Sequence, residues 1–206
     1  MFVTYRALAL FAVPAVIAAA PQPVPSGDMA KVQAHLAAIT TMTAGFTQTD
    51  RNGQVLTGTL SLKRPGKVRF QYQKGVPILI VGDGNALTFI DYSVKQVQRW
   101  PIGKSPLGVL LDPKRDIGGI AKLVPSGDPS IISVEANDPK HPDFGKITLI
   151  FQRDEASPAG LRMLGWVALD PQNNRTTIRL SNIKFNAPIA DGTFRWSDPR
   201  TSTRGK

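Results

Sequence analysis

The chain has 206 residues, 42% of them hydrophobic and 19% charged, which suits one domain with a core of its own and excludes a disordered chain. The formal net charge of +10 attracts anionic partners, but the exported character of the N-terminus (below) argues against nucleic acid, and either a solvated basic surface or a specific docking face fits the charge. There is no cysteine, so a disulfide framework and a lipidation cysteine are both excluded, and the fold must stand on apolar burial alone.

The N-terminus reads as an address. Arg6 is its only charge, the apolar run Ala7 to Ile17 follows, and Ala18-Ala19-Ala20 supplies small residues. Residues 1–20 are therefore expected to be a secretory signal peptide, cut after Ala18 or Ala20, with Pro21 disfavouring the second. An uncleaved anchor is the other reading. Cleavage removes one positive charge and leaves +9. Residues 21–27 form a Pro-rich spacer, 28–198 a single domain and 199–206 a basic tail.

Asp28 stands where an N-cap would stand. Met29, Val32, Leu36, Ile39 and Met42 follow at steps of three and four, predicting one apolar helix face that ends before Gly45, with Phe46 continuing it. The period then becomes two. Leu56, Gly58, Leu60 and Leu62 alternate with Thr57, Thr59, Ser61 and Lys63, Arg64 to Lys67 turns, and Val68, Phe70 and Tyr72 alternate with Arg69 and Gln71. Pro77 to Val81, Ala86 to Tyr92 and Gln96 to Trp100 are further strands, the first two joined by the hairpin turn Gly82-Asp83-Gly84-Asn85.

Pro106 to Leu111 and Asp116 to Leu123 read as two short central helices, too brief and glycine-rich to stand alone. Strands resume at Ser130 to Glu135, Lys146 to Arg153, Leu161 to Leu169 and Arg175 to Ser181, with a turn over Asp170 to Asn174. A short strand around Ile183 to Asn186 and an arm carrying Phe194 and Trp196 end the domain. The predicted class is α+β, mainly β. It comprises a long N-terminal helix, short central helices and about nine to eleven antiparallel strands in up-and-down order. Such a sheet must curl, and its concave face must be covered or filled.

No catalytic constellation emerges. His35 and His141 are the only histidines and lack metal-type partners at helical or hairpin spacing, so no metal and no cofactor is expected. No Gly-x-Ser-x-Gly elbow occurs. Gly103-Lys104-Ser105 resembles the end of a phosphate loop, but Gln98 stands where the loop's first glycine belongs and Pro101 interrupts it. Asp154-Glu155 reads as a solvated pair beside a turn. Asn174-Arg175-Thr176 is a glycosylation sequon by pattern only. What remains is apolar strand surface under a candidate lid. It either lines a cavity for hydrocarbon chains or fills a dry core, and alternation alone does not separate the two.

The run Gly58 to Tyr72, containing Arg64-Pro65-Gly66, resembles the signature of the outer-membrane lipoprotein carrier (LolA) family. Phe46-Thr47-Gln48 resembles the family's Phe-x-Gln element. Val81-Gly82-Asp83-Gly84, Tyr92, the central Pro106-Leu107 with Leu110-Leu111, and Ile189 to Phe194 follow in the family's order. Ser105 stands where threonine is common.

The resemblance implies an incomplete, half-open antiparallel β-barrel with helices as a lid. It implies a monomeric periplasmic carrier of acylated lipoproteins that receives them from an inner-membrane ABC transporter release complex and passes them to an outer-membrane lipoprotein receptor. It further implies that Arg64 reaches lid carbonyls and holds the empty cavity shut, where the residues alone also allow a simple turn cap. A guanidinium with five donors in a rigid fork suits that task. The acyl-chain cavity is expected to draw on Leu60, Leu62, Val68, Phe70, Tyr72, Ile78, Ile80, Phe89, Leu107, Leu110, Leu111, Ile147, Leu149 and Phe151. Competing readings are a lipid- or protein-binding sensor domain that does not shuttle, a lipocalin-like binder of small apolar molecules and, more remotely, a hydrolase.

Overall fold

Threonine placement decides where the helix gives way to the sheet. In the computed structural model, which describes residues 27–104, 107–112 and 119–200, helix α1 spans Gly27–Ala38 and buries Val32, His35 and Leu36. The leader, nearly all of the spacer, the start of the second expected central helix and the end of the tail lie outside the described residues.

The long helix expected through Met42 is not formed, because Thr41–Thr49 is strand β1. Met42, Ala44 and Phe46 are buried while Thr41, Thr43 and Thr47 are less so, a period of two. The three-residue step from Ile39 to Met42 imitates a helical stripe, but alternating β-branched threonines favour the pleated surface. Asn186 marks the break: its Nδ2 donates to the Ala38 carbonyl (3.1 Å), and its Oδ1 accepts from the Thr40 N–H (2.9 Å). Asp28 is no N-cap. It lies inside the first turn of α1, buried, and accepts both bonds of a bidentate pair from Arg153 Nη2 (2.8 and 2.7 Å).

The strands continue as β2 Val55–Lys63, β3 Lys67–Tyr72, β4 Ile78–Asp83, β5 Ala86–Asp91 and β6 Gln96–Pro101. After the four-residue helix α2, Gly108–Leu111, come β7 Ala121–Val124, β8 Ile131–Asn137, β9 Lys146–Arg153, β10 Leu161–Leu169 and β11 Arg175–Phe185. Residues 121–123 were expected in a helix. They instead pair in strand β7 against β8, with Ala121 opposite Ala136, and the Asn137 N–H donates to the Ile120 carbonyl (2.8 Å). The separate strand expected at Ile183 to Asn186 is the end of β11, displaced by an irregularity at Asn182, whose φ is +51°.

All pairings are antiparallel, in the order β6-β5-β4-β3-β2-β1-β11-β10-β9-β8-β7. The sheet is open, with β6 and β7 at opposite edges. The connection from β6 to β7 must therefore travel from one edge to the other, and it carries α2. Val109, Leu110 and Leu111 of α2 are buried in one apolar cluster with residues from both halves of the sheet, such as Leu60, Phe70, Leu149 and Phe151. The connection thus roofs the concave face. A second, smaller cluster of Leu79, Val81, Ile90 and Phe194 lies on the other face of β4 and β5, under the C-terminal arm with Trp196.

Candidate functional site

Alternation along the central strands sends Leu60 and Leu62 of β2, Val68, Phe70 and Tyr72 of β3, and Ile147, Leu149 and Phe151 of β9 to the concave face, where all are buried. Leu110 and Leu111 meet them from α2. Ile78, Ile80 and Leu107 are half-buried against the same cluster. Phe89 pairs with Ile80 on the same side of the sheet but is half-buried and outside the cluster. Ten of the fourteen expected cavity residues thus converge, buried, under one roof. The side chains of α2 fill the space above the concave face.

Sequence reading missed several members. Phe46 sits at the centre of an aromatic set, edge-on to Phe70 (5.5 Å) and Tyr72 (5.2 Å), and Phe70 is edge-on to Trp166 (6.1 Å). Gly58 makes room for it, since a Cβ there would lie 2.7 Å from the Phe46 ring and 2.2 Å from the Gln71 carbonyl. Gln48 accepts the Tyr72 hydroxyl (2.7 Å), and burial pushes that phenol up to about 12. The Phe-x-Gln element therefore serves the hollow from β1 rather than from a helix end; the motif was visible, its element was not.

Arg64 follows β2 and joins three elements. Its Nε and Nη2 donate to the Leu110 carbonyl of α2 (3.1 and 2.8 Å), and its Nη1 donates to the Ile39 carbonyl just after α1 (3.1 Å). The Gly66 N–H adds a bond to the Leu111 carbonyl (3.0 Å). Short helices leave their last carbonyls unsatisfied, and here a cation and a turn amide take them. Burial lowers the Arg64 guanidinium to about 10, with the charge of nearby Asp112 opposing the shift. Gly66 holds a positive φ of +70° against Gly84, where a Cβ would come within 2.5 Å of backbone, so the two hairpin turns brace each other.

His35 is fully buried under α1. One ring nitrogen, Nδ1, bonds the Pro158 carbonyl (2.8 Å), while Nε2 has no hydrogen-bond partner among the described residues. The ring is edge-on to Phe151 and Phe185. Burial lowers its pKa, the Pro158 bond opposes that, and the Arg64 charge lowers it further. His141 is exposed and stacks on Phe144 (4.5 Å). Asp154 is half-buried in a turn, taking bonds from the Ala156 N–H and the Ser157 hydroxyl, whereas Glu155 is exposed; the pair read as solvated is so in only one member.

Two surface cavities lie elsewhere. One of about 660 Å³ opens where β10 and β11 part beyond Gly165, between Arg162, Met163, Leu180 and Phe185. Another of about 260 Å³ flanks β7 near Lys122 and Glu135. Among the described residues, no helix is long and apolar enough to cross a membrane.

The family described as outer membrane lipoprotein carrier protein LolA matches residues 37–197. A protein of Chromobacterium violaceum called an outer-membrane lipoprotein carrier protein is 29% identical over 90% of this chain and 91% of its own length. One so called from Dechloromonas aromatica is 30% identical over 77% of this chain and 78% of its own. A LolA superfamily protein from Nitrosomonas europaea superposes at a TM-score of 0.43 with 11% identity, over 84% of this chain and 99% of that one. The family match takes in the described chain from the end of α1 to the C-terminal arm, Arg64 and the lid helix included: the chain belongs to the outer membrane lipoprotein carrier protein LolA family.

Proposed function

We propose that this protein is a periplasmic carrier that holds the acyl chains of lipoproteins between its concave sheet and its lid. In this reading it takes them from an inner-membrane ABC release complex and yields them to an outer-membrane receptor. One observation carries the reading: beside α1, a broad apolar sheet face is roofed by a four-residue helix whose Leu110 carbonyl is clasped by Arg64. Val32 and Leu36 of α1 reach the same cluster, but the α2 part of the cover is too short to hold itself in place and depends on the clasp, as a movable flap does.

Hydrocarbon is a fitting guest. Each methylene removed from water contributes roughly 0.8 kcal/mol, so ten give about 8 kcal/mol, enough to offset the Arg64 bonds and the displaced lid contacts. The action is binding, and loading and release are shifts between a closed and an open state. Family membership and the names of the relatives support lipoprotein as cargo and the periplasm as the place.

The test is mass spectrometry of the protein purified from the periplasm of a host producing lipoproteins. Co-purified diacyl or triacyl lipoprotein supports the carrier. Free lipid, a small apolar molecule or no cargo at all counts against it.

A further inference from the structure

Apart from the Arg64 clasp, the hollow makes no use of the positive charge of the chain. Much of that charge gathers on the convex side of the sheet. The outward positions of β11 are Arg175, Thr177, Arg179, Ser181 and, past the irregularity, Lys184. Their neighbours on β1 are Thr41, Thr43, Gly45, Thr47 and Thr49, and next to these on β2 come Thr57, Thr59, Ser61 and Lys63. No carboxylate occupies an outward position of these three strands. Arg175, Arg179 and Lys184 are exposed and make no ion pair among the described residues. Farther along, Lys63 and Lys67 share the single carboxylate of Asp191 (2.9 Å each), leaving an excess of one positive charge. Arg69 spends its donors on backbone carbonyls of Thr193 and Arg195 and keeps its charge.

We infer that this convex face docks on an anionic phospholipid bilayer. Charge complementarity selects an anionic surface. The texture selects a bilayer over an acidic protein. Protein interfaces are anchored by buried aromatic or aliphatic residues in pockets, whereas β11, β1 and β2 present a carpet of short hydroxyls with Val55 as their one apolar outward residue, and the aliphatic Val167 and Leu169 enter only at the neighbouring β10. Cations on β11 and, across the uncharged β1, on β2 and β3, with strands about 4.8 Å apart, suit a laterally uniform layer of phosphates. Docking on this side leaves the lidded, concave side of the sheet turned away from the lipid surface and free for partners. The inference stands apart from the acyl-chain reading, because no residue of the hollow takes part.

Vesicle co-sedimentation of the full chain tests it. The vesicles are pure phosphatidylcholine, or phosphatidylcholine with about a third phosphatidylglycerol. The protein binds the phosphatidylglycerol vesicles, and binding collapses as salt rises from about 0.05 to 0.5 M. Each exposed cation near the surface is worth about fivefold, so Arg175→Gln, Arg179→Gln and Lys184→Gln together weaken binding on the order of 100-fold. A fluorescent fatty-acid probe reports the hollow separately and is unaffected by the triple variant. Equal binding to both vesicle types, or a triple variant that sediments like the parent, overturns the inference. So does capture of an acidic protein by this face without any vesicle binding.

Discussion

Replacing Arg64 with leucine removes its three side-chain bonds from the β2–β3 turn to α2 and to the end of α1. Three bonds are lost, two converging on the Leu110 carbonyl and one on the Ile39 carbonyl. A hydrogen bond to a charged group contributes about 1.5–3 kcal/mol net, and two bonds sharing one acceptor count as little more than one. The closed form should therefore lose about 3 kcal/mol relative to the open form, a shift of about 150-fold in the lid equilibrium. The Gly66 N–H, which bonds the Leu111 carbonyl, reports that equilibrium through amide hydrogen exchange. Its protection should fall by about the same factor in Arg64→Leu, while amides in the centre of β9 keep theirs. In a reconstituted transfer assay the variant should load cargo and retain it rather than release it to the receptor. Arg64→Lys, a point charge without the fork, should fall between. Unchanged Gly66 protection together with unchanged transfer would refute the latch.

Gly58→Ala thrusts a methyl into the Phe46 ring and the Gln71 carbonyl, and should cost about 1–3 kcal/mol in urea unfolding and disturb the Phe46–Tyr72 contact seen by NMR. Arg153→Leu strands the buried Asp28 carboxylate and should cost about 3 kcal/mol, since Arg153 is a third exposed, with the added change Asp28→Leu restoring much of it; full stability in the single variant counts against the pair as the tether of α1. His35 has a pKa lowered in the folded state, so the unfolded chain binds the extra proton first. Stability is therefore complete above the unfolded value of about 6.5 and declines as pH falls below it. The carboxylates of Asp191 and Asp198, held at about 2, give up their contributions only in much stronger acid. The melting temperature should thus drop between pH 6.5 and 5, and His35→Asn, which retains a donor for the Pro158 carbonyl, should flatten that slope.

Much of the fold was legible because most strands pair with their sequence neighbours and advertise a period of two. Leu60, Leu62, Val68 and Phe70 declared their face, and Gly84 and Asp83 declared their turn, where Asp83 Oδ1 takes the Asn85 and Ala86 amides. Two strands escaped. In β1 the four-residue step from Met42 to Phe46 fits both periods, and only pairing with β2 and β11 decides it. In β7 four residues become a strand because the free edge of β8 accepts them, a tertiary cause invisible in local sequence.

The hollow was half legible. Inward residues could be named, but not that α2 would bury them, since no pattern gives the path of a connection between opposite sheet edges. The partners of Arg64 lie 46 and 25 residues away, beyond the reach of any spacing rule. Asp28, Arg153 and His35 act on how α1 is seated, through contacts more than a hundred residues long in sequence.

The most direct test of the hollow is photo-crosslinking with a synthetic triacylated lipopeptide carrying a diazirine at the end of an acyl chain, the adducts located by mass spectrometry. The concave set should be labelled, above all Leu60, Phe70, Phe151 and Leu110, and labelling should rise when Arg64 is replaced by leucine. Adducts confined to the opposite face at Leu79, Val81 or Ile90, or no specific adduct in either form, would contradict a carrier that holds acyl chains beneath its lid.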